Sequence, residues 1–406
     1  MLTLIQKIYS SHEAREQAGV FSSHLLLNGS FFVVVLLASK RLDAIEFADL
    51  SLANSWIMVL ATVFSFGLDQ SALKLSFERN NSSYIAVNLV AKALLFIVAF
   101  SVFLFWTALY GRNTNLVVVA AAAGVALWSS TRVVEQYERR FTRLAWLNVS
   151  FAVARVSLGS MAVATHDWVL IALSLHVIAQ LPVHLMTLAT AMRDLHPKEM
   201  LRSLRPMLAV SPLMFASISL YSALALITMN MLHGRGDALA TASFGVALIF
   251  IAPLDLFINT IRIYVLPQVL SLDHKEIDVF GLGAGSFNVM VIAFAAVFFG
   301  AMLPTAAIIH WIYGTQFPMA SAFFLIYFGA VVATSSIGFY NIRVQRQKLL
   351  RLAVAVNVCR VAATALMILF PLVTPLAIVV WSGVVLVGGE IGLWFAINWA
   401  ERRSRA

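Results

Sequence analysis

Cysteine and charge are the two things this 406-residue chain has least of: Cys359 stands alone, and only 12% of residues are charged. One cysteine excludes a disulfide within the chain and any cysteine-based metal site. Soluble domains carry about 25% charged and about 45–50% apolar residues. A chain with 12% charged and 61% hydrophobic residues is therefore not a soluble domain. Long polar segments are also missing. The longest outer connection, about Pro304 to Pro318, and the longest inner ones, Arg193 to Pro206 and Arg262 to Asp278, are too short to fold alone. The acids and histidines of the outer side, Asp43, Glu46, His166, Asp167, His233, Asp237 and His310, are scattered over four loops rather than clustered. Membrane glycan polymerases, ligases and acyltransferases need a large external loop or such a cluster, so the pattern argues against an enzyme with catalytic residues. No phosphate-binding ATPase motif is present, and no His, Cys or acidic spacing suggests a resident metal or cofactor.

What fills the chain instead is a succession of apolar runs, each sufficient to cross the ~30 Å hydrocarbon core as a helix. They start near Val20, Leu50, Ile85, Leu116, Trp146, Val169, Met207, Thr241, Val279, Met319, Leu352 and Leu376. Strands of a membrane barrel alternate polar and apolar residues, whereas Leu116 to Trp128 is continuously apolar. The expectation is an all-α polytopic membrane protein of about twelve spans. Residues 1–192 form one six-helix bundle, 193–206 a cytoplasmic linker and 207–406 a second bundle.

Basic residues set the orientation. Of the 28 Lys and Arg, only Lys40, Arg41, Arg112 and Arg235 fall on the side opposite the termini, while Lys92, Arg155 and Arg360 fall inside spans. All others, Arg132 among them, are assigned to the side carrying both termini, which the positive-inside rule makes cytoplasmic. The net charge of +9 is thus a topology signal, with contact to anionic lipid as a secondary effect and no indication of nucleic-acid binding. Leu2, Ile5, Ile8 and Tyr9 form one face of a short interfacial segment before the first span.

A weak internal repeat joins the two halves. Arg143-Leu144-Ala145 with Asn148 before the fifth span matches Arg351-Leu352-Ala353 with Asn357 before the eleventh. On this register Arg155 and Arg360 differ by three positions, close to one helical turn, so they lie near the same face. Six spans separate the repeats, an even number, which implies a parallel pseudo-two-fold along the membrane normal and a central cleft. A cation at mid-membrane costs about 2.5–3.5 kcal/mol on insertion scales. Two guanidinium forks in matching places suit an anion such as a phosphate, and the competing explanation is a buried ion pair with a neighbouring helix.

The remaining intramembrane charges lie nearer the cytoplasm. Lys92 is roughly 10 Å deep at 1.5 Å per residue, and Asp69, Asp255 and Glu390 lie at a similar level or at the inner face. Arg262 ends the eighth span and joins Arg155, Arg360 and Lys92 as a cation available to substrate. The acids have three readings: counter-charge to an arginine, headgroup reception, or coupling to H+ or Na+. His24, His176 and His184 share no metal-binding spacing and read as packing or cavity residues. Gly281-Leu282-Gly283-Ala284-Gly285 opens an apolar span and reads as a close-packing stretch rather than a phosphate loop. Pro212, Pro253 and Pro304 are positioned to kink helices.

Phe66-Gly67-Leu68-Asp69-Gln70 leading to Leu73-Lys74 resembles the end of the second helix in polysaccharide flippases of the multidrug/oligosaccharidyl-lipid/polysaccharide exporter superfamily. Tyr313-Gly314-Thr315-Gln316-Phe317, followed by a basic inner loop and Asn357, is similar to the segment around their tenth helix, and Pro267-Gln268 after Arg262 to the end of their eighth. The ordered set covers most of the chain. The resemblance implies a Wzx-type translocator in a bacterial inner membrane, carrying undecaprenyl-pyrophosphate-linked O-antigen or exopolysaccharide units by alternating access. It implies the lipid-linked glycan as ligand and a polysaccharide polymerase complex as partner. The alternative within the same superfamily is a cation-coupled multidrug exporter, whose cavity should be acidic or aromatic.

Overall fold

The chain was analysed as a computed structural model, which describes residues 12–79, 81–110, 114–138, 140–178, 180, 187, 189, 197–271, 286–341, 347–370 and 372–405. Thirteen α-helices account for nearly all of them. They are α1 (His12–Arg41), α2 (Ala44–Ser65), α3 (Leu68–Arg79), α4 (Ser83–Tyr110), α5 (Thr114–Tyr137) and α6 (Phe141–Ala164). After α7 (Trp168–Leu173), a π-helical turn covers Ser174–Ile178. The rest are α8 (Pro197–His233), α9 (Ala238–Ser271), α10 (Ser286–Tyr313), α11 (Ala320–Asn341), α12 (Gln347–Ala365) and α13 (Pro375–Arg405). Among the described residues nine helical stretches are long and apolar enough to span a membrane, and Trp168–Val177, Ala223–His233 and Ala238–Leu254 are shorter apolar helices. The protein is an all-α polytopic membrane protein, and each of the twelve runs seen in the sequence coincides with one of these helical stretches.

Two compact units divide the chain. One holds Met1–Asp43 and Ala53–Phe215, the other Ala44–Leu52 and Ala216–Ala406. In the first, α1 packs along α6, and a Cβ added to Gly159 would lie 2.6 Å from Val34, so the two backbones run closer there than a larger residue permits. A second core of Leu68, Ala72, Leu75, Ile85, Val133 and Met207 ties α3, α4, α5 and the start of α8 together. Ser71 to Ser211 at 2.7 Å and Ser83 to Ser203 at 2.9 Å add hydroxyl bonds across it. In the other unit α11 is the central helix, with Phe323, Phe324, Tyr327 and Phe328 all buried. Phe244 of α9 meets Tyr327 edge-on at 5.2 Å, and Thr228 of α8 bonds Ser382 of α13 at 2.7 Å.

Local chemistry explains several element ends. Asp167 accepts from the backbone N–H of Val169 at 2.8 Å and Asp237 from that of Ala240 at 2.7 Å, so two of the scattered outer acids act as helix N-caps. The second span breaks at Phe66 and Gly67, whose φ values of 42° and 66° place two successive residues in the left-handed region. Gly67 tolerates that conformation without steric cost. The connection expected from Pro304 to Pro318 is instead helical to Tyr313, with Pro304 inside α10. Prolines persist in membrane helices because neighbouring groups re-satisfy the freed carbonyl. Arg132, assigned from the sequence to an inner loop, lies inside the Leu116–Glu135 span. The polar run Ser129-Ser130-Thr131-Arg132 looks like a span end, yet Ser129 and Ser130 both donate to the Asp69 carboxylate and Thr131 to the Leu127 carbonyl. The segments containing Leu2 to Tyr9, His184 and Gly281 to Gly285 lie outside the described residues.

Candidate functional site

Three buried polar groups hold the intramembrane charges, two in the first unit and one in the second. Arg155 sits on α6, and its side chain points back along the helix, as helical side chains do, over Phe151 one turn earlier. Its guanidinium carbon is 4.1 Å from the Phe151 ring centroid and 5.9 Å from that of Phe31 on α1. Nε donates to the Leu175 carbonyl at 2.9 Å and Nη1 to the Leu27 carbonyl at 2.9 Å. The π-helical turn supplies the first of these carbonyls, and the close α1–α6 approach brings the second within reach. With Arg155 only 7% exposed, no carboxylate among the described residues lies within ion-pair distance of it. Neutral dipoles and ring faces solvate this charge without cancelling it. His176, on the same turn, meets Phe31 at 5.7 Å and Asn54 Oδ1 at 3.2 Å from Nε2, while its buried Nδ1 has no partner.

The second group gathers on Asp69, in the first turn of α3 just beyond the Phe66–Gly67 bend. Oδ2 accepts from Lys92 Nζ and Ser129 Oγ, both at 2.7 Å. Oδ1 accepts from Asn88 Nδ2 at 2.7 Å and more weakly from Ser130 Oγ at 3.3 Å. Lys92 also donates to the Ala126 carbonyl at 3.1 Å. Arg132 lies within electrostatic reach of both Asp69 and Lys92. Lys92 is thus the cation paired with this carboxylate, while among the described residues Arg132 forms no ion pair with it and Arg155 none with any acid.

In the second unit Arg360 of α12 is neutralised. Its Nη2 donates to Glu390 Oε2 at 2.7 Å and to the Leu386 carbonyl at 3.0 Å, and Nη1 to Asn357 Oδ1 at 2.8 Å. Asn341 of α11 completes the group by donating to Glu390 Oε1 at 2.8 Å and to the Glu390 carbonyl at 3.0 Å. A Cβ at Gly389 would lie 2.0 Å from Arg360 Nε, so only glycine leaves room for the guanidinium stem against α13.

The structure therefore brings Asp69 to Lys92 and Glu390 to Arg360, and leaves Arg155 without an acidic partner among the described residues. Asp255 and Arg262 fall on α9, and their side chains lie outside the described residues. Sequence reasoning missed Asn88, Ser129, Ser130, Arg132, Asn341 and Gly389. Spacing does signal part of this, since Asn88 and Lys92 are four apart on one face of α4. The match of Asn148 to Asn357 is not a match of role: Asn148 donates to Ser23 Oγ at 3.0 Å, whereas Asn357 accepts from Arg360.

No protein-family model matches the chain, and no curated protein matches it in sequence. Solved structures do match. The lipid II flippase MurJ in an inward closed conformation has a TM-score of 0.62 at 13% identity, over 92% of this chain and 87% of its own. An outward-facing multidrug resistance MATE family transporter of the MOP superfamily gives 0.60 at 10%, over 96% and 95%. A MOP superfamily transporter from Pyrococcus furiosus gives 0.58 at 12%, again over 96% and 95%. The fold is that of MOP-superfamily transporters. At these identities the likeness concerns the course of the backbone and not the residues of the site.

Proposed function

We propose that the chain is a flippase in a bacterial inner membrane, with both termini cytoplasmic. It carries undecaprenyl-pyrophosphate-linked oligosaccharide units of O-antigen or exopolysaccharide type to the outer leaflet by alternating access. The observation that carries this reading is the Arg155 guanidinium, a buried mid-span charge held by two carbonyls and two rings. Hydrogen bonds to neutral carbonyls are exchangeable for bonds to an anion, and a phosphate offers the planar fork a stronger, charge-assisted partner. Arg360 already holds a carboxylate, so it enters as a partner that must first be exchanged, and Lys92, held by Asp69, enters as positive background. Arg262 is assigned to headgroup reception at the inner face. The fold shared with a lipid II flippase supports a lipid-linked substrate, and the Phe66–Gln70 and Tyr313–Phe317 segments support the polysaccharide branch. A polysaccharide polymerase that removes product, or an ion gradient or membrane potential, supplies the driving force.

The fold is shared equally with multidrug transporters, which keeps a second reading as exporter of organic cations. It needs an uncommitted carboxylate in the cavity. Of the acids singled out in the sequence, the two with described side chains, Asp69 and Glu390, are both paired, and buried Glu135 meets Arg143 at 3.5 Å. Arg155→Ala at normal protein level decides between them. Flippase action is expected to fail, with lipid-linked units accumulating on the cytoplasmic leaflet and Arg155→Lys restoring transfer only in part. Unchanged surface glycan in Arg155→Ala would overturn the reading.

A further inference from the structure

The Asp69 group is built in a way that the reading of Arg155 does not use. Its carboxylate, in the first turn of α3, collects donors from two other helices: Lys92 and Asn88 on α4, and Ser129 and Ser130 on α5. The Lys92 side chain is 1% exposed and that of Asp69 is 14%. The ammonium therefore meets the carboxylate from within the helix packing, while the carboxylate keeps an accessible edge. Asn88 is fully buried, and its Oδ1, on the amide whose nitrogen binds Asp69, accepts no hydrogen bond. Asp69 Oδ2 and the Ala126 carbonyl bind Nζ, and the Ser129 and Ser130 hydroxyls bond the same carboxylate. Hard, neutral oxygens around a single carboxylate are what a small monovalent cation requires. Among the described residues no cluster of three or more His, Cys, Asp or Glu exists, so a transition metal does not fit.

The geometry points to Lys92 as a resident substitute for a coupling cation: its ammonium permanently occupies the place at Asp69 that Na+ would take. The site is then closed to Na+, and its charge stays constant through the transport cycle. Exchange of the ammonium for Na+ leaves the local charge sum unchanged, Arg132 included. A purely structural ion pair behaves differently: removal of Lys92 leaves a buried carboxylate that methylammonium relieves by replacing the lost headgroup but Na+ does not. The inference concerns Asp69 and Lys92 alone and holds whatever Arg155 binds.

The test uses the purified full-length protein, with melting temperature followed as NaCl replaces choline chloride at constant ionic strength. Wild type is expected to show no Na+ response. Lys92→Ala is expected to melt lower in choline and to recover by several degrees, saturably, in Na+ or in methylammonium, which replaces the lost headgroup. Lys92→Ala combined with Asp69→Asn should lose that recovery. A Lys92→Ala protein that folds only when purified in Na+ is the same result in stronger form. The inference fails if Lys92→Ala responds to methylammonium but not to Na+, responds to neither, or folds in neither. It also fails if wild type is stabilised by Na+ and Asp69→Asn abolishes the effect.

Discussion

Arg155 and Arg360 occupy related positions in the repeat, yet their surroundings assign them different work. Arg360 is one half of a buried pair, and removal of one member of such a pair typically costs about 3–5 kcal/mol because the other charge is left uncompensated. Glu390→Gln is therefore expected to lower thermal stability markedly, whereas Arg360→Leu with Glu390→Leu should return most of it. Gly389→Ala should act in the same direction as Glu390→Gln, since the new methyl occupies the place of Arg360 Nε and overpacking costs about 1–3 kcal/mol. Melting curves of the three variants check this, and a double Leu variant as unstable as Glu390→Gln would contradict it. If surface glycan also returns in the double Leu variant, Arg360 serves folding rather than substrate. The sequence exposes both arginines because each interrupts an apolar run. It does not expose which one is neutralised, because Glu390 sits 30 residues from Arg360 on another helix. Only packing brings them together.

Two departures from regular helix place the charges of the first unit. The Phe66–Gly67 bend starts a new helix whose first turn carries Asp69, and a carboxylate there is favoured by the free N–H groups and the helix dipole. The segment was legible in the sequence as a family-like motif, and the structure gives it this physical role. The π-helical turn Ser174–Ile178 was not legible: nothing in Ser-Leu-His-Val-Ile distinguishes it from an ordinary apolar helix. Its position depends on Gly124 of α5, where an added Cβ would lie 2.3 Å from the His176 carbonyl oxygen. Backbone cannot yield as a side chain end can, so Gly124→Ala must shift the turn and with it the Leu175 carbonyl that holds Arg155. The expected outcome is a loss of about 1–3 kcal/mol in stability together with reduced transfer of substrate. Normal transfer in Gly124→Ala would separate the turn from the function of Arg155.

At the scale of the whole chain, hydropathy carried the architecture, because lipid imposes helices and span length independently of which residues meet. The same generality hides the site: small polar residues such as Ser129 and Ser130 look alike at a span end and in a buried cluster, so Arg132 read as a loop residue. Orientation rests on the charge asymmetry, which is large. On the proposed topology Lys40, Arg41, Arg112 and Arg235 stand alone on one side against every other loop cation on the other. Lys and Arg resist translocation and stay cytoplasmic. The single cysteine makes this testable, since Cys359→Ser leaves a cysteine-free background in which one new thiol reports one side. Leu372, 97% exposed in the turn between the last two spans, should face outward, and Arg402, exposed near the end of α13, should face the cytoplasm. A membrane-impermeant maleimide added to intact spheroplasts is expected to label Leu372→Cys at once and Arg402→Cys only after permeabilisation. The reverse pattern would invert the topology, and an anionic headgroup would then meet the Asp69 and Lys92 level last rather than first.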